Sequence, residues 1–222
     1  MTLPTYALAG ALLLAASVPA SALTVETVDF SFAGTLAQDN SVVLIEFTVA
    51  ETSTIELSSY SYNGGVMADG TTIAAGGFDP ILSLFDASGS LIASNDDIDS
   101  GNDEWDVYLS ATLDAGDYTV AVTQYDNFAV DDQLADGWIR DGDAWFTASE
   151  FGGGECTAFC DANGQARSNA WAFDVLNVAT AVVVDNGQGE AEPPASPVPL
   201  PAAAPALAAA LGALGLLRRR RG

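Results

Sequence analysis

The sequence predicts an all-β protein, a jelly-roll-like β-sandwich flanked by an N-terminal signal helix and a C-terminal apolar helix. Three observations carry this. Short segments rich in Val, Ile, Thr and aromatics recur through residues 23–186, separated by Gly, Asp and Asn turns. No stretch of helical period exceeds two turns outside the two ends. The ends differ in kind from the body: residues 1–22 hold no charged side chain, while 198–222 hold no acid and end in Arg218–Arg221.

The strands follow in order. Thr24–Phe32, Ser41–Ala50 and Thr52–Tyr60 have strand composition, and Thr54-Ile55-Glu56-Leu57-Ser58 alternates so that one face meets a core and the other water. Ile81–Phe85 and Leu91–Ala93 read as a hairpin across Asp86-Ala87-Ser88-Gly89, with glycine where a positive φ costs nothing. Trp105–Leu113 is the next strand. After the Ala115-Gly116 turn, Tyr118, Val120, Val122 and Gln124 share one face of another. Asn169–Val178 and Ala181–Val184 complete the domain. Many short strands with such turns argue for a sandwich. Residues 126–168 are the least regular part, dense in Asp and Gly.

The N-terminus reads as a secretory signal peptide over residues 1–22. Ala7–Val18 is an apolar run of h-region length, and Ala20-Ser21-Ala22 supplies the small residues of a signal-peptidase site, with Ala20 and Ala22 at its two recognition positions. Its n-region departs from the norm in having no Lys or Arg. The mature chain is expected to begin near Leu23. At the other end, residues 187–197 form a Pro-rich linker leading into an uncharged stretch, Leu200–Leu217, closed by four arginines. That stretch crosses a bilayer marginally, with the arginines on the cytoplasmic side. Pro201 and Pro205 disturb its first turns, so it is short for a permanent anchor.

Val198-Pro199-Leu200-Pro201-Ala202, the apolar helix and the arginine cluster together resemble the VPLPA variant of the PEP-CTERM sorting signal. The resemblance covers residues 198–222. It implies recognition by an exosortase-type membrane protease, transient anchoring by the C-terminal helix, and passage of the body to the cell surface or extracellular matrix.

Charge and composition exclude several functions. The body carries all 30 acids against two cations, Arg140 and Arg167, and no lysine. Phosphate backbones repel so anionic a surface, which argues against nucleic-acid binding. Histidine is absent, and with it the commonest general base, the usual triads and most zinc or copper sites. A serine nucleophile would lack a base, although the two carboxylates a glycosidase needs are present. No catalytic residue is assigned. Cys156 and Cys160 are the two cysteines, and in an exported chain they are expected to pair.

The densest cluster is Asn95-Asp96-Asp97-Ile98-Asp99-Ser100-Gly101-Asn102-Asp103-Glu104, followed by Asp106. Adjacent carboxylates repel unless they are spread into water or bridged by a cation, and calcium takes six to eight hard oxygens from flexible loops of this kind. The loop is no EF-hand: counted from Asn95, the sixth position is Ser100, not glycine, and flanking helices are absent. A calcium loop and a solvated acidic surface both fit the composition.

A second resemblance bears on this. Phe78-Asp79-Pro80-Ile81-Leu82-Ser83-Leu84-Phe85-Asp86, then Gly89, Leu91-Ile92-Ala93, Asn95-Asp96-Asp97, Leu113, Ala115-Gly116 and Tyr118-Thr119-Val120 are similar to the bacterial pre-peptidase C-terminal domain. That family is a compact β-sandwich appended to secreted enzymes and surface proteins, often binding calcium. The later run Phe159-Cys160-Asp161, Gly164, Arg167 and Trp171-Ala172-Phe173-Asp174-Val175 looks like exported PEP-CTERM proteins carrying the same domain. The resemblance implies calcium ligands at Asp79, Asp96 and Asp97; Asp99 and Asp103 are candidates from loop composition. The family domain usually accompanies a catalytic domain, for which this chain has no room.

The aromatics allow another reading. Trp105, Trp138, Trp145 and Trp171, with Tyr108, Tyr118 and Tyr125, could form a sugar-stacking platform or could be core. Two functions therefore stand. The first is a non-enzymatic, calcium-stabilised surface or matrix protein; the alternative is a carbohydrate-binding module recognising exopolysaccharide. Both require export and tail processing. The intact mass of protein recovered from the cell surface should correspond to a chain beginning near Leu23 and lacking Arg218–Arg221; a membrane-bound species that keeps those arginines overturns the sorting reading.

Overall fold

The computed structural model describes residues 27–98, 105–184 and 189–191. The signal peptide with Ala20 and Ala22, the motif Val198–Ala202, the flanking helices, and Asp99 and Asp103 lie outside these residues. No helix among the described residues is long and apolar enough to cross a membrane.

The chain is a β-sandwich. In order, the strands are β1 (Val28–Leu36), β2 (Val43–Val49), β3 (Ser53–Ser59), β4 (Gly65–Val66), β5 (Thr72–Ile73), β6 (Pro80–Asp86), β7 (Leu91–Asn95), β8 (Tyr108–Leu113), β9 (Gly116–Gln124), β10 (Ala170–Val178), β11 (Thr180–Val184) and β12 (Gly189–Ala191). One sheet has the order β12-β1-β10-β3-β8 and the other β11-β2-β9-β6-β7; β4 and β5 form a separate ribbon. All ladder pairings within these sheets are antiparallel.

Period-two alternation builds the core. Val43, Ile45, Phe47 and Val49 of β2 face inward with Leu82 and Leu84 of β6 and Val120 and Val122 of β9. Phe32, Ile55, Leu57, Trp171, Phe173 and Val175 meet them from the other sheet. Burying aromatics and branched aliphatics at this density is the main stabilising term, at roughly 25 cal/mol per Å² of apolar surface removed from water. The Asp86–Gly89 turn forms as read, with Gly89 at φ 82° and its N–H donating to the Asp86 carbonyl.

The register places Leu36, Val43, Ser59, Pro80, Asn95, Tyr108, Gln124 and Ala170 at one end of the sandwich. The long connections gather there; short turns at 50–52, 87–90 and 114–115 close the other end. Two excursions from the loop end fold back over the outer faces. Residues 61–77, with the β4–β5 ribbon, cover the first sheet: Ala68 N–H donates to Asp174 Oδ2 (2.8 Å) and Asp69 N–H to Ser31 Oγ (3.3 Å). A Cβ on Gly77 would lie 2.4 Å from the Ser61 carbonyl oxygen, so the return of this excursion requires glycine. Residues 126–140 cover the second sheet, where Ala129, Leu134 and Trp138 pack on Val42, Phe85 and Ala121.

Three elements are absent from the sequence reading. The β4–β5 ribbon has two residues per strand, too few for a periodic signal. Helix α1 (Phe146–Glu150) is little more than one turn. Gly189–Ala191, in the stretch read as linker, pairs with Leu36–Gly34 of β1, because the backbone donors there precede the first linker proline, Pro193.

Cys156 and Cys160 form a disulfide with Cα atoms 5.8 Å apart. Both are buried, and Cys160 N–H donates to Thr147 Oγ1 (3.1 Å). Thr147 in turn donates from its N–H and hydroxyl to Asp39 Oδ2, so α1, the disulfide loop and the β1–β2 connection are tied at one point. Alkylation of the unfolded, unreduced exported protein should label neither cysteine, and prior reduction should expose both; quantitative labelling without reductant overturns the pairing.

Candidate metal centre

The described residues include five buried aspartates: Asp39, Asp79, Asp106 and Asp161 at the loop end, and Asp174 on the outer face of β10. Three are fully engaged by donors. Asp106 accepts the Ser59 hydroxyl (2.6 Å) and the N–H groups of Tyr62 and Asn63 (3.1 and 2.8 Å). Asp161 accepts the Tyr62 hydroxyl (2.9 Å) and the N–H groups of Asn163 and Gln165. Asp174 accepts Ser31 Oγ (2.6 Å) and Ala68 N–H. Asp39 accepts both Thr147 donors on one oxygen.

Asp79 differs. It immediately precedes β6, is 3% exposed, and its Oδ1 has no hydrogen-bond partner. Burial is the main cause that pushes its pKa up to about 8, and the like charges of Asp97, Asp161, Asp96 and Asp106 add to it. Asp96 and Asp97, at the end of β7, are half-buried. The fold thus brings Asp79, Asp96 and Asp97 into one anionic neighbourhood, although they are separated by β6 and β7 in sequence. Among the described residues no three His, Cys, Asp or Glu side chains converge as a finished metal cage. The donor set is all oxygen, which suits a hard cation and not a thiophilic metal.

Asp106, the last acid of the sequence cluster, is committed to Ser59, Tyr62 and Asn63. Sequence reasoning passed over two side chains at the same end. Asn95 Oδ1 and both amide atoms of Gln124 are buried and without partners. Their signals were the place of Asn95 at the head of the Asn95-Asp96-Asp97 motif and that of Gln124, a polar residue on the core face of a strand.

The cations and aromatics are placed as follows. Arg140 pairs with Asp126, Glu150 (3.2 Å) and Asp143 (3.7 Å), and lies over the Phe146 ring at 4.7 Å. Arg167 donates to the carbonyls of Gly77 (3.0 Å) and Tyr62 (2.8 Å) and stacks 3.6 Å over the Tyr62 ring. Trp105 packs on Tyr62 (5.1 Å), and Trp171 is core. Trp138 packs against the second sheet, while Trp145 is 42% exposed. The four tryptophans are therefore dispersed and do not form one platform.

Comparison with protein-family models, with curated proteins and with solved structures finds no match.

Asp79 makes the metal-free protein sensitive to pH with a defined sign. The unfolded carboxyl ionises near 3.8 and the folded one at about 8. Between these values the unfolded chain has released a proton that the folded chain retains, so stability falls as pH rises through this window and levels off above it. At about 1.4 kcal/mol per tenfold in proton affinity, the loss reaches several kcal/mol. Urea denaturation in chelator at a series of pH values should show this slope, and Asp79→Asn should remove it.

Proposed function

We propose that this chain is an exported, surface-sorted β-sandwich of jelly-roll type, without catalytic activity and stabilised by calcium at Asp79, Asp96 and Asp97. The observation that carries the reading is the buried Asp79 carboxylate, whose Oδ1 lacks a donor and which feels the like charges of Asp96 and Asp97. A divalent cation turns that repulsion into attraction. The jelly-roll reading is supported by the strand order: leaving out β4, β5, β11 and β12, the sheets run β1-β10-β3-β8 and β2-β9-β6-β7. The non-enzymatic reading rests on the absence of histidine and lysine and on the use of most buried acids as structural acceptors. Export, exosortase-type processing and delivery to the surface or matrix rest on the two terminal signals.

The second reading, a carbohydrate-binding module for exopolysaccharide, is favoured by one feature. A groove of about 380 Å³ on the outer face of the second sheet is lined by Glu46, Thr48, Asp117, Tyr118, Thr180 and Val182, among others. Carboxylates and hydroxyls of this kind suit a polyhydroxylated ligand. Glycan binding that survives chelation would favour it over the first reading.

Calcium should raise the melting temperature beyond what sodium chloride achieves at matched ionic strength. Binding to the folded state alone adds roughly 2.7 kcal/mol when calcium is a hundredfold above Kd. Replacing Asp96 and Asp97 together by Asn should remove the calcium-specific increment and leave the β spectrum intact. A response to calcium no larger than that to sodium, or an unchanged response in the double variant, overturns the reading.

A further inference from the structure

The carboxylates alone do not complete a cation site: no three of them converge among the described residues, and calcium requires six to eight oxygens. The missing oxygens have to come from neutral groups. Among the described residues, Asn95 Oδ1 and Gln124 Oε1 are buried without a hydrogen-bond partner, as are Asp79 Oδ1 and Asp39 Oδ1. Asn95 ends β7, Asp79 precedes β6 and Gln124 ends β9, and these are three adjacent strands of one sheet.

The register makes them neighbours. Gln124 is opposite Pro80, the residue after Asp79, and Asn95 is opposite Leu82 on the other side of β6. Leu82 is opposite Val122, two residues before Gln124. Residues facing each other across an antiparallel ladder share a side of the sheet, so Asn95 and Gln124 point to the same, inward side at the loop end. The Tyr125 N–H donates to the Asp79 carbonyl (2.7 Å), which fixes Asp79 against the strand that carries Gln124. Asp96 and Asp97 follow Asn95 directly.

A buried amide that meets no partner is costly, and a fully buried glutamine with both polar atoms unpaired is a severe case. Elsewhere at this end Asp106 and Asp161 are satisfied by donors from loop backbone and hydroxyls. Of the five unpartnered buried side-chain atoms among the described residues, Asp39 Oδ1 lies in the β1–β2 connection, and the other four, on Asp79, Asn95 and Gln124, fall on three neighbouring strand ends, beside Asp96 and Asp97. We infer that Asn95 Oδ1 and Gln124 Oε1 are ligands of the cation, supplying the inner, neutral side of a site whose charge comes from Asp79, Asp96 and Asp97. This rests on the calcium reading above and extends it to two residues on rigid strands. The site is then built on the sheet itself and not on the acidic loop alone.

The test is calcium titration by calorimetry of the exported protein after removal of metal by chelation. The parent should bind calcium. Gln124→Met, which keeps the length and removes the oxygen, and Asn95→Leu should each weaken binding by about tenfold or more, as loss of a coordinating oxygen does. Gln124→Glu, which keeps an oxygen there and adds charge, should tighten it; this variant also carries the test should Gln124→Met not fold. If the methionine and leucine variants bind like the parent while Asp79→Asn has lost calcium, or if Gln124→Glu binds no more tightly, the amides are not ligands and the carboxylate site stands without them. A parent that binds no calcium overturns both the site and this extension.

Discussion

A body with thirty acids and two arginines must satisfy its buried carboxylates without ion pairs, and the architecture of the loop end follows from that. One of the two cations, Arg140, holds the 126–150 segment to its own acids, and the other, Arg167, is spent on carbonyls and the Tyr62 ring. Buried aspartates therefore take hydroxyl and backbone N–H donors, and three of them, Asp106, Asp161 and Asp174, draw on the 61–77 excursion. Asp174 fastens the β4–β5 ribbon to the first sheet, Asp106 holds Tyr62 and Asn63 beside β3, and Asp39 seats α1. Carboxylate acceptors with multiple donors are among the stronger hydrogen bonds available to a protein. Long irregular segments are held in place with little apolar core of their own. Asp39 also has one oxygen without a donor, but Asp79 stands out in combining such an oxygen with the like charges of Asp97, Asp161, Asp96 and Asp106.

Much of the sandwich was legible because strands advertise themselves by alternation. Thr54–Ser58 and the Tyr118–Gln124 face were read from period two and Ile81–Phe85 from its hairpin turn, and the structure places all three in strands. Trp105–Leu113 begins too early in the sequence reading: the strand starts at Tyr108, since the Asp106 side chain is drawn into the Ser59–Asn63 turn and Val107 N–H donates to Ser59 Oγ. Thr24–Phe32 was likewise displaced; β1 runs on to Leu36, where Gly34 lies flat against the Trp171 ring and costs the strand its usual side-chain signal. The β4–β5 ribbon and β12 were not legible, because each is defined by its partner and not by a pattern of its own.

The site was legible in parts, and the parts differ in kind. Asp96 and Asp97 announced themselves by local density, and Asp79 by its place in a motif. Asn95 was seen as the first residue of an acidic loop and as part of the same motif, without a role as a ligand, and Gln124 only as the last position of an apolar face. What the sequence lacks is burial: an amide is unremarkable in a turn and costly in a dry strand end. Gln124 becomes informative only once the ladder sets it beside Pro80 and leaves both of its polar atoms without partners.

Topology also gives the domain two unlike ends. The strands that carry Asp79, Asn95 and Gln124 bring them to the end where the long connections gather, whereas β1 begins at the opposite end, that of the short turns. The last described strand reinforces this. Gly189 lies opposite Leu36 and Ala191 opposite Gly34, so β12 runs from the loop end toward the end where β1 starts. The start of β1 and the end of β12 thus both lie toward the end opposite Asp79. The antiparallel pairing of β12 with β1 also covers part of the β1 edge, which would otherwise present unpaired backbone groups.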